Sequence, residues 1–458
     1  MERTIKNLLI SVITTLLFAG SAYAQNFVSG STGVDGEFNP TTTTEIQLPP
    51  NGIFNFTTVN IPAGVTVTFK KNAANTPAYI LATGDVNISG TISVSGSNAV
   101  ANDLGRGGAG GFDGGYGGEQ NKPGGRGMGP GGGGSTNAYG GYGGGGAFGT
   151  AEPGPCGAYY CIGGSVYGNE RILPFIGGSG AGGGGQVSNI GGGGGGGGGA
   201  ILIASSGTIN ITGSIIANGG AGAIIVNSSS YPGTGGGGSG GAIKLIANTI
   251  AGNGTVSAVG AVGVSSAGHG SNSGGNGRIR LEAFQITRTT GTSSPAFTRG
   301  FPTSVFIANT PSIKITAIGG ANVPQNPTGL LATPDITLPA ATTNPVTVGL
   351  SASYVPLNTS ITVVVSPQSG MHSNIASTPL SGTLESSTAT ASITLSTDYP
   401  SVIMATATFT IQTAMFFDGE KIEKVRVAST MGKGSEVTYI TETGKEIPAE
   451  KLMASLVK

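Results

Sequence analysis

The chain has 458 residues, of which 87 are glycine and only 9% are charged, and its formal net charge is zero. That balance leaves no electrostatic footprint for a nucleic-acid partner. Glycine at this level without a strict Gly-X-Y period also excludes collagen. At the N-terminus, Arg3 and Lys6 precede the apolar run Leu8–Phe18 and then Ala22-Tyr23-Ala24. This is the pattern of a secretory signal with a small-x-small cleavage site, so residues 1–24 are expected to be removed and the mature chain to begin at Gln25. No later stretch is apolar for long enough to span a bilayer. The expected location is therefore secreted or cell-surface, with no transmembrane anchor in the mature chain.

Residues 25–76 hold alternating runs at Phe54–Asn60 and Val65–Phe69 around the turn Pro62-Ala63-Gly64, which predicts an N-terminal cap and a first coil. A recurrent unit follows, with strand starts aligned at Ala78, Ala200, Ala242 and Arg278. The second position is Tyr79, Ile201, Ile243 and Ile279, and the fourth is Leu81, Ile203, Leu245 and Leu281. Between them lie Ile80, Leu202, Lys244 and Arg280. Alternate side chains point to opposite faces of a strand, so the aliphatic columns are expected inside and the charged column outside, on a solvated edge. Turn glycines at Gly90, Gly213 and Gly254 follow the starts. Short strands between regular glycine turns predict a parallel β-solenoid, or β-helix, over residues 25–322, with like residues stacked coil on coil.

Residues 97–199 form a glycine- and tyrosine-rich insertion, expected as partly ordered, polyproline-II-like loops laid against one face. Its tyrosines are Tyr116, Tyr139, Tyr142, Tyr159, Tyr160 and Tyr167. Rings on a rigid polar scaffold suit the faces of sugars, and these six are the candidate ligand-binding residues. The alternative is that they cover glycine backbone. Cys156 and Cys161 are expected to pair as a local disulfide in an exported chain, since a two-thiolate metal site needs further ligands and the histidines are only His269 and His372.

Beyond Arg278-Ile279-Arg280-Leu281-Glu282-Ala283, Phe297, Phe301 and Phe306 are placed to close the last coil, and Pro324 and Pro327 mark a linker. Residues 323–415 are rich in Ser and Thr, with strands expected at Val346–Leu350, Ile361–Val365, Ala391–Leu395 and Val402–Thr410. This texture suggests an immunoglobulin-like β-sandwich. Residues 416–458 form a charged tail, with a hairpin expected from Lys424–Val427 and Val437–Ile440 and a short helix after Pro448.

At Gly191–Ala204 and Gly235–Ala247 the chain resembles exported bacterial glycine-rich parallel β-helix proteins with a trailing immunoglobulin-like module. Asp35-Gly36-Glu37-Phe38 and Val59–Val65 match further elements of that type. The resemblance implies the architecture over roughly residues 30–410 and brings no established activity. Wider β-helix families include polysaccharide-cleaving enzymes that use clustered aspartates.

No such cluster is visible here. Asp85, Asp103 and Asp113 are the aspartates near the repeats, and no two are adjacent. Gly107–Asp113 departs from the calcium nonapeptide in spacing and occurs once. The glycine runs carry no Lys-Ser/Thr for phosphate, and no Ser-His-Asp arrangement is supported. No metal, cofactor or catalytic residue is expected. The expected function is a non-enzymatic structural or adhesive surface or matrix protein, with polysaccharide or surface components as partners. A polysaccharide lyase or hydrolase is the alternative. Ice binding ranks third, because Thr208 and Thr212 align only loosely with Thr249 and Thr255.

Overall fold

The computed structural model describes residues 26–448 except 73–74, 120, 136–140, 152–161, 174, 186–189, 225–232, 264–272, 307–310, 325–326, 328–330, 332, 369–372, 418–419 and 431–435. Apart from one 3-10 turn at Thr290–Thr292, the regular elements among these residues are strands, and the protein is all-β as expected.

The first half contains β1 (Thr44–Gln47), β2 (Ile53–Phe56), β3 (Val59–Ile61), β4 (Thr66–Lys70), β5 (Ala78–Ala82), β6 (Val86–Ile88) and β7 (Thr91–Ser93). It continues with β8 (Ala200–Ile211), β9 (Ser214–Ile216), β10 (Ala242–Ala251), β11 (Thr255–Ser257), β12 (Arg278–Ile286), β13 (Ser293–Ser294) and β14 (Thr298–Gly300). Two parallel sheets result. One is six-stranded in the order β1-β4-β7-β9-β11-β13. The other is eight-stranded in the order β14-β12-β10-β8-β5-β2, with β6 joining β3 to β8. The chain runs along the eight-stranded sheet, turns at a stacked glycine, crosses to the six-stranded sheet and returns. Glycine is required at that turn: a Cβ on Gly213 would lie 2.0 Å from the carbonyl oxygen of Gly90 on the neighbouring strand pair.

The alignment of Ala200, Ala242 and Arg278 is the observed register. The first unit is displaced by one residue, because Ala78 lies beside Ile201 and Ile80 beside Ile203. Ile80 is therefore the inward residue, and Tyr79 and Leu81 face outward. Gly213 follows Ala200 by one residue more than Gly254 follows Ala242, because β8 carries one extra residue against β10, with the register shifting between Ala247 and Thr249.

Inside, the column Ile80, Ile203, Leu245 and Leu281 packs with Val67, Ile92, Ile215 and Val256 from the opposite sheet, each at most 1% exposed. Each such side chain contributes ~1.5–3 kcal/mol of burial. The outer face of the eight-stranded sheet is also covered. Leu81, Leu202, Ala204 and Ile246 meet Phe27, Phe175 and Val305 there. The N-terminal segment crosses this face: Phe27 N–H donates to Asn248, Ser29 Oγ to the Ala82 carbonyl and Ser31 Oγ to the Phe56 carbonyl. The charged column consequently lies under cover, against the expected solvated edge: Lys244 is 3% exposed, Arg280 7% and Glu282 0%. Of the three phenylalanines placed to close the last coil, Phe297 joins the core, while Phe301 and Phe306 are exposed.

The glycine segments lead on from these strands as an ordered bundle. Segment 191–199, which feeds β8, donates backbone N–H groups with a period of three. Gly191, Gly194 and Gly197 donate to Gly118, Gly115 and Phe112. Gly192, Gly195 and Gly198 donate to Gly233, Gly236 and Ser239. Gly193, Gly196 and Gly199 donate to Ala101, Ser97 and Val94. Its carbonyls accept with the same period from segments 178–184, 105–108 and 220–223. Three residues per turn is the period of a polyproline-II helix, which has no internal hydrogen bonds, so side-by-side packing satisfies every direction. Glycine is obligatory at the centre: a Cβ on Gly194 would sit 2.2 Å from the Ala181 carbonyl oxygen.

The second half holds β15 (Ser312–Ile318), β16 (Ala321–Asn322), β17 (Val346–Ser353), β18 (Ser360–Pro367), β19 (Ser373–Pro379), β20 (Ser381–Gly382), β21 (Ser387–Ile393), β22 (Ser401–Phe417), β23 (Glu420–Thr430), β24 (Glu436–Thr441) and β25 (Glu446–Pro448). They form two antiparallel sheets, β16-β15-β17-β21-β20 and β19-β18-β22-β23-β24-β25, around a shared core that includes Val348, Leu350, Ile361, Val363, Ala407 and Val427. Two expected boundaries fall elsewhere. Ser312–Ile318 already pairs with β17, before residue 323. Beyond residue 416, β23 pairs along β22 and β24 along β23, so that part of the charged tail continues the sheet. The helix expected after Pro448 lies outside the described residues.

Candidate functional site

The insertion brings three of the candidate tyrosines into described positions, one buried and two half-buried. Tyr142 is 4% exposed. Tyr167 stacks on Phe148 with ring centroids 4.7 Å apart, and its hydroxyl donates to the Gly177 carbonyl at 2.6 Å. Tyr116 is half-buried beside Leu104, Phe112 and Met128, and burial pushes its hydroxyl above the usual range despite the Arg106 guanidinium. Tyr139, Tyr159 and Tyr160, and the pair Cys156 and Cys161, lie outside the described residues. The signal peptide at 1–24 and both histidines do as well.

Of the aspartates, Asp103 and Asp113 are brought together across one arginine. Asp113 Oδ2 lies 3.5 Å from Arg106 Nη1, and Asp103 Oδ1 lies 3.9 Å from Arg106 Nη2. The 9%-exposed Asp113 also accepts from the Gly107 N–H at 2.7 Å and pairs with Lys71 at 3.3 Å. Its carboxylate thus ties Arg106 and Gly107 to Lys71, which follows β4, a role the sequence hides because Lys71 stands 42 residues earlier. Asp85 accepts instead from the Thr208 N–H at 2.7 Å.

A second ionic cluster lies beneath the cover of the eight-stranded sheet. Lys244 and Arg280 are directly opposite in register, a repulsive placement for like charges. Glu282 resolves it, with Oε1 at 3.4 Å from Lys244 Nζ and 3.1 Å from Arg280 Nε, while Oε2 accepts from Thr303 at 2.5 Å.

The two halves meet where Leu331, Val402 and Met404 pack on Leu104, Phe112 and Met128. A latch lies beside this contact: the Tyr399 hydroxyl donates to Glu119 at 2.9 Å and accepts from Lys122, whose ammonium also sits 4.7 Å above the Tyr399 ring. A cavity of about 540 Å³ opens nearby, lined by Ile336, Leu338, Asn344, Leu395, Asp398 and Tyr399 among others. The Tyr399 hydroxyl, and then Lys122, hold the Glu119 carboxyl below the usual carboxylate range. A depressed carboxylate contributes above its unfolded value, ~4.3, and the contribution is lost as pH falls through the folded value. Amide exchange at residues 116–128, corrected for intrinsic rates, is therefore expected to accelerate between pH 6 and pH 3. Tyr399→Phe should reduce that acceleration, and an unchanged profile would remove the latch from the account.

Comparison of the chain with family models, curated proteins and solved structures gives no match. Among the described residues no grouping of His, Cys, Asp or Glu is arranged to hold a metal ion, and no helix is long and apolar enough to cross a membrane.

Proposed function

We propose that the protein is an exported, non-enzymatic structural or adhesive component of the cell surface or extracellular matrix. In this reading the two parallel sheets are a β-solenoid, the glycine bundle is its brace, and the antiparallel sheets are an immunoglobulin-like module serving as spacer or partner contact. The observation that carries it is the saturation of segment 191–199 by backbone hydrogen bonds on all sides. Such a brace contributes rigidity rather than reactive groups. The two most plausible reactive groups, Asp113 and Glu282, are each consumed by ion pairs that hold the coils. Exposed rather than covered surfaces would then make the adhesive contacts, since the described tyrosines are buried or half-buried.

The test is retention of the purified protein on a panel of insoluble polysaccharides, with reducing ends assayed in the supernatant. Retention without sugar release is the expected result. Sugar release would overturn the non-enzymatic reading in favour of a lyase or hydrolase, and failure to bind any member would remove polysaccharide as the partner.

A further inference from the structure

The two sheets of the parallel unit have opposite outer faces. That of the eight-stranded sheet is covered, whereas that of the six-stranded sheet is half-exposed and carries hydroxyls in register. One outward column runs Thr66, Thr91, Ser214, Thr255, with Thr43 at its start, where its hydroxyl accepts from the Thr66 N–H. The next column, two residues along each strand, runs Thr68, Ser93, Ile216, Ser257, Ser294, with Glu45 at its start. Between them the inward residues Val67, Ile92, Ile215 and Val256 are β-branched and at most 1% exposed. Uniform β-branched residues below hold the strands level, and these pairings contain no register shift.

We propose that this face binds the surface of ice. Its outward groups repeat at ~4.8 Å across strands and ~6.6 Å along them, a two-dimensional pattern that only a partner periodic in both directions can match everywhere. The columns from Thr66 to Ser294 carry no charge, which suits a neutral partner and offers nothing to an anionic surface or polymer. They carry no aromatic ring either, and rings are what stack on sugar faces, so a water lattice fits better than a polysaccharide. Threonine and isoleucine are stiff at χ1, and Ser257 Oγ is fixed by a 2.7 Å bond to Asn218 Oδ1. Little side-chain freedom is therefore lost on contact. Each hydroxyl holds a water at the pitch of the columns, and the intervening methyl groups keep that layer flat.

The inference stands apart from the adhesive reading, because its partner is different. The purified protein is partitioned between slowly grown ice and the remaining liquid, beside an inert globular protein and with crystalline cellulose as a parallel surface. The wild type should be enriched in the ice several-fold over the inert protein. Thr91→Tyr, in the middle of the first column, should lower that enrichment to the inert level. Thr255→Lys, at an exposed position of the same column where folding is less at stake, should do likewise. Thr347→Tyr, exposed on the antiparallel unit, should partition as wild type does. Exclusion of the wild type from ice, full enrichment of Thr255→Lys, or retention on cellulose alone would overturn the proposal.

Discussion

Glu282→Ala is expected to destabilise the parallel unit by about 3–5 kcal/mol, the range for removing one partner of a buried ion pair. The substitution leaves Lys244 and Arg280, opposite each other in register and 3% and 7% exposed, with an unopposed pair of positive charges under an apolar cover. It also frees the Thr303 hydroxyl that ties the covering segment down. Glu282→Gln should be damaging too, since the amide keeps the shape and loses the charge. The triple replacement Lys244→Met, Arg280→Met and Glu282→Met separates the causes. It removes all the charges together and is expected to be near neutral or stabilising. Denaturant unfolding with a constant slope measures all three variants, and a Glu282→Ala loss below ~1 kcal/mol would show that water reaches the cluster.

Gly194→Ala is expected to cost roughly 1–3 kcal/mol or more, the range for overpacking a close-packed interior. The opposing effect is known in sign: alanine restricts the unfolded chain and stabilises by ~0.4–1 kcal/mol where the backbone conformation allows it. Gly194 lies outside the left-handed region, so only space is at issue, and its Cβ would meet the Ala181 carbonyl at 2.2 Å. The neighbouring segments are themselves hydrogen-bonded backbone and have no side chain to swing aside. Gly291 is the control. A Cβ there meets nothing within 4 Å, so Gly291→Ala should be neutral or stabilising in the same unfolding experiment. Equal effects at both glycines would mean that the bundle yields locally.

The strand columns were legible in the sequence because β-branched and aliphatic residues recur at fixed offsets wherever an inner face needs them. Ala200, Ala242 and Arg278 fell into register by that signal alone. The first unit did not, because its outer face is apolar too: Tyr79 and Leu81 look inward by hydropathy, yet they face a cover supplied by Phe27 and Phe175. The same cover turned the charged column from a solvated edge into a buried cluster. The bundle's register was invisible for another reason. Where every residue is glycine, a period of three leaves no trace, and only the partners at Ser97, Phe112 and Ser239 disclose it. At the candidate site, tyrosine content gave no sign of which way the rings point. The hydroxyl columns of the six-stranded sheet are obscured in the sequence because the partner of Thr255 in register is Ser214, while the nearer-looking match, Thr212, lies at the turn.

The central place of segment 191–199 also fixes an order of events during folding. Its neighbours at 94–118 are synthesised long before it, and those at 233–239 only after it. Until the later residues exist, the earlier glycine segments have no axis to assemble around, and water must solvate their backbone. Glycine chains lose more entropy on ordering than any others, so no part of the bundle persists ahead of the whole. Contacts of such long sequence separation slow folding. Assembly of this half of the molecule is therefore a late, concerted event, with the earlier glycine segments held only through Asp113 and the parallel strands until the axis arrives.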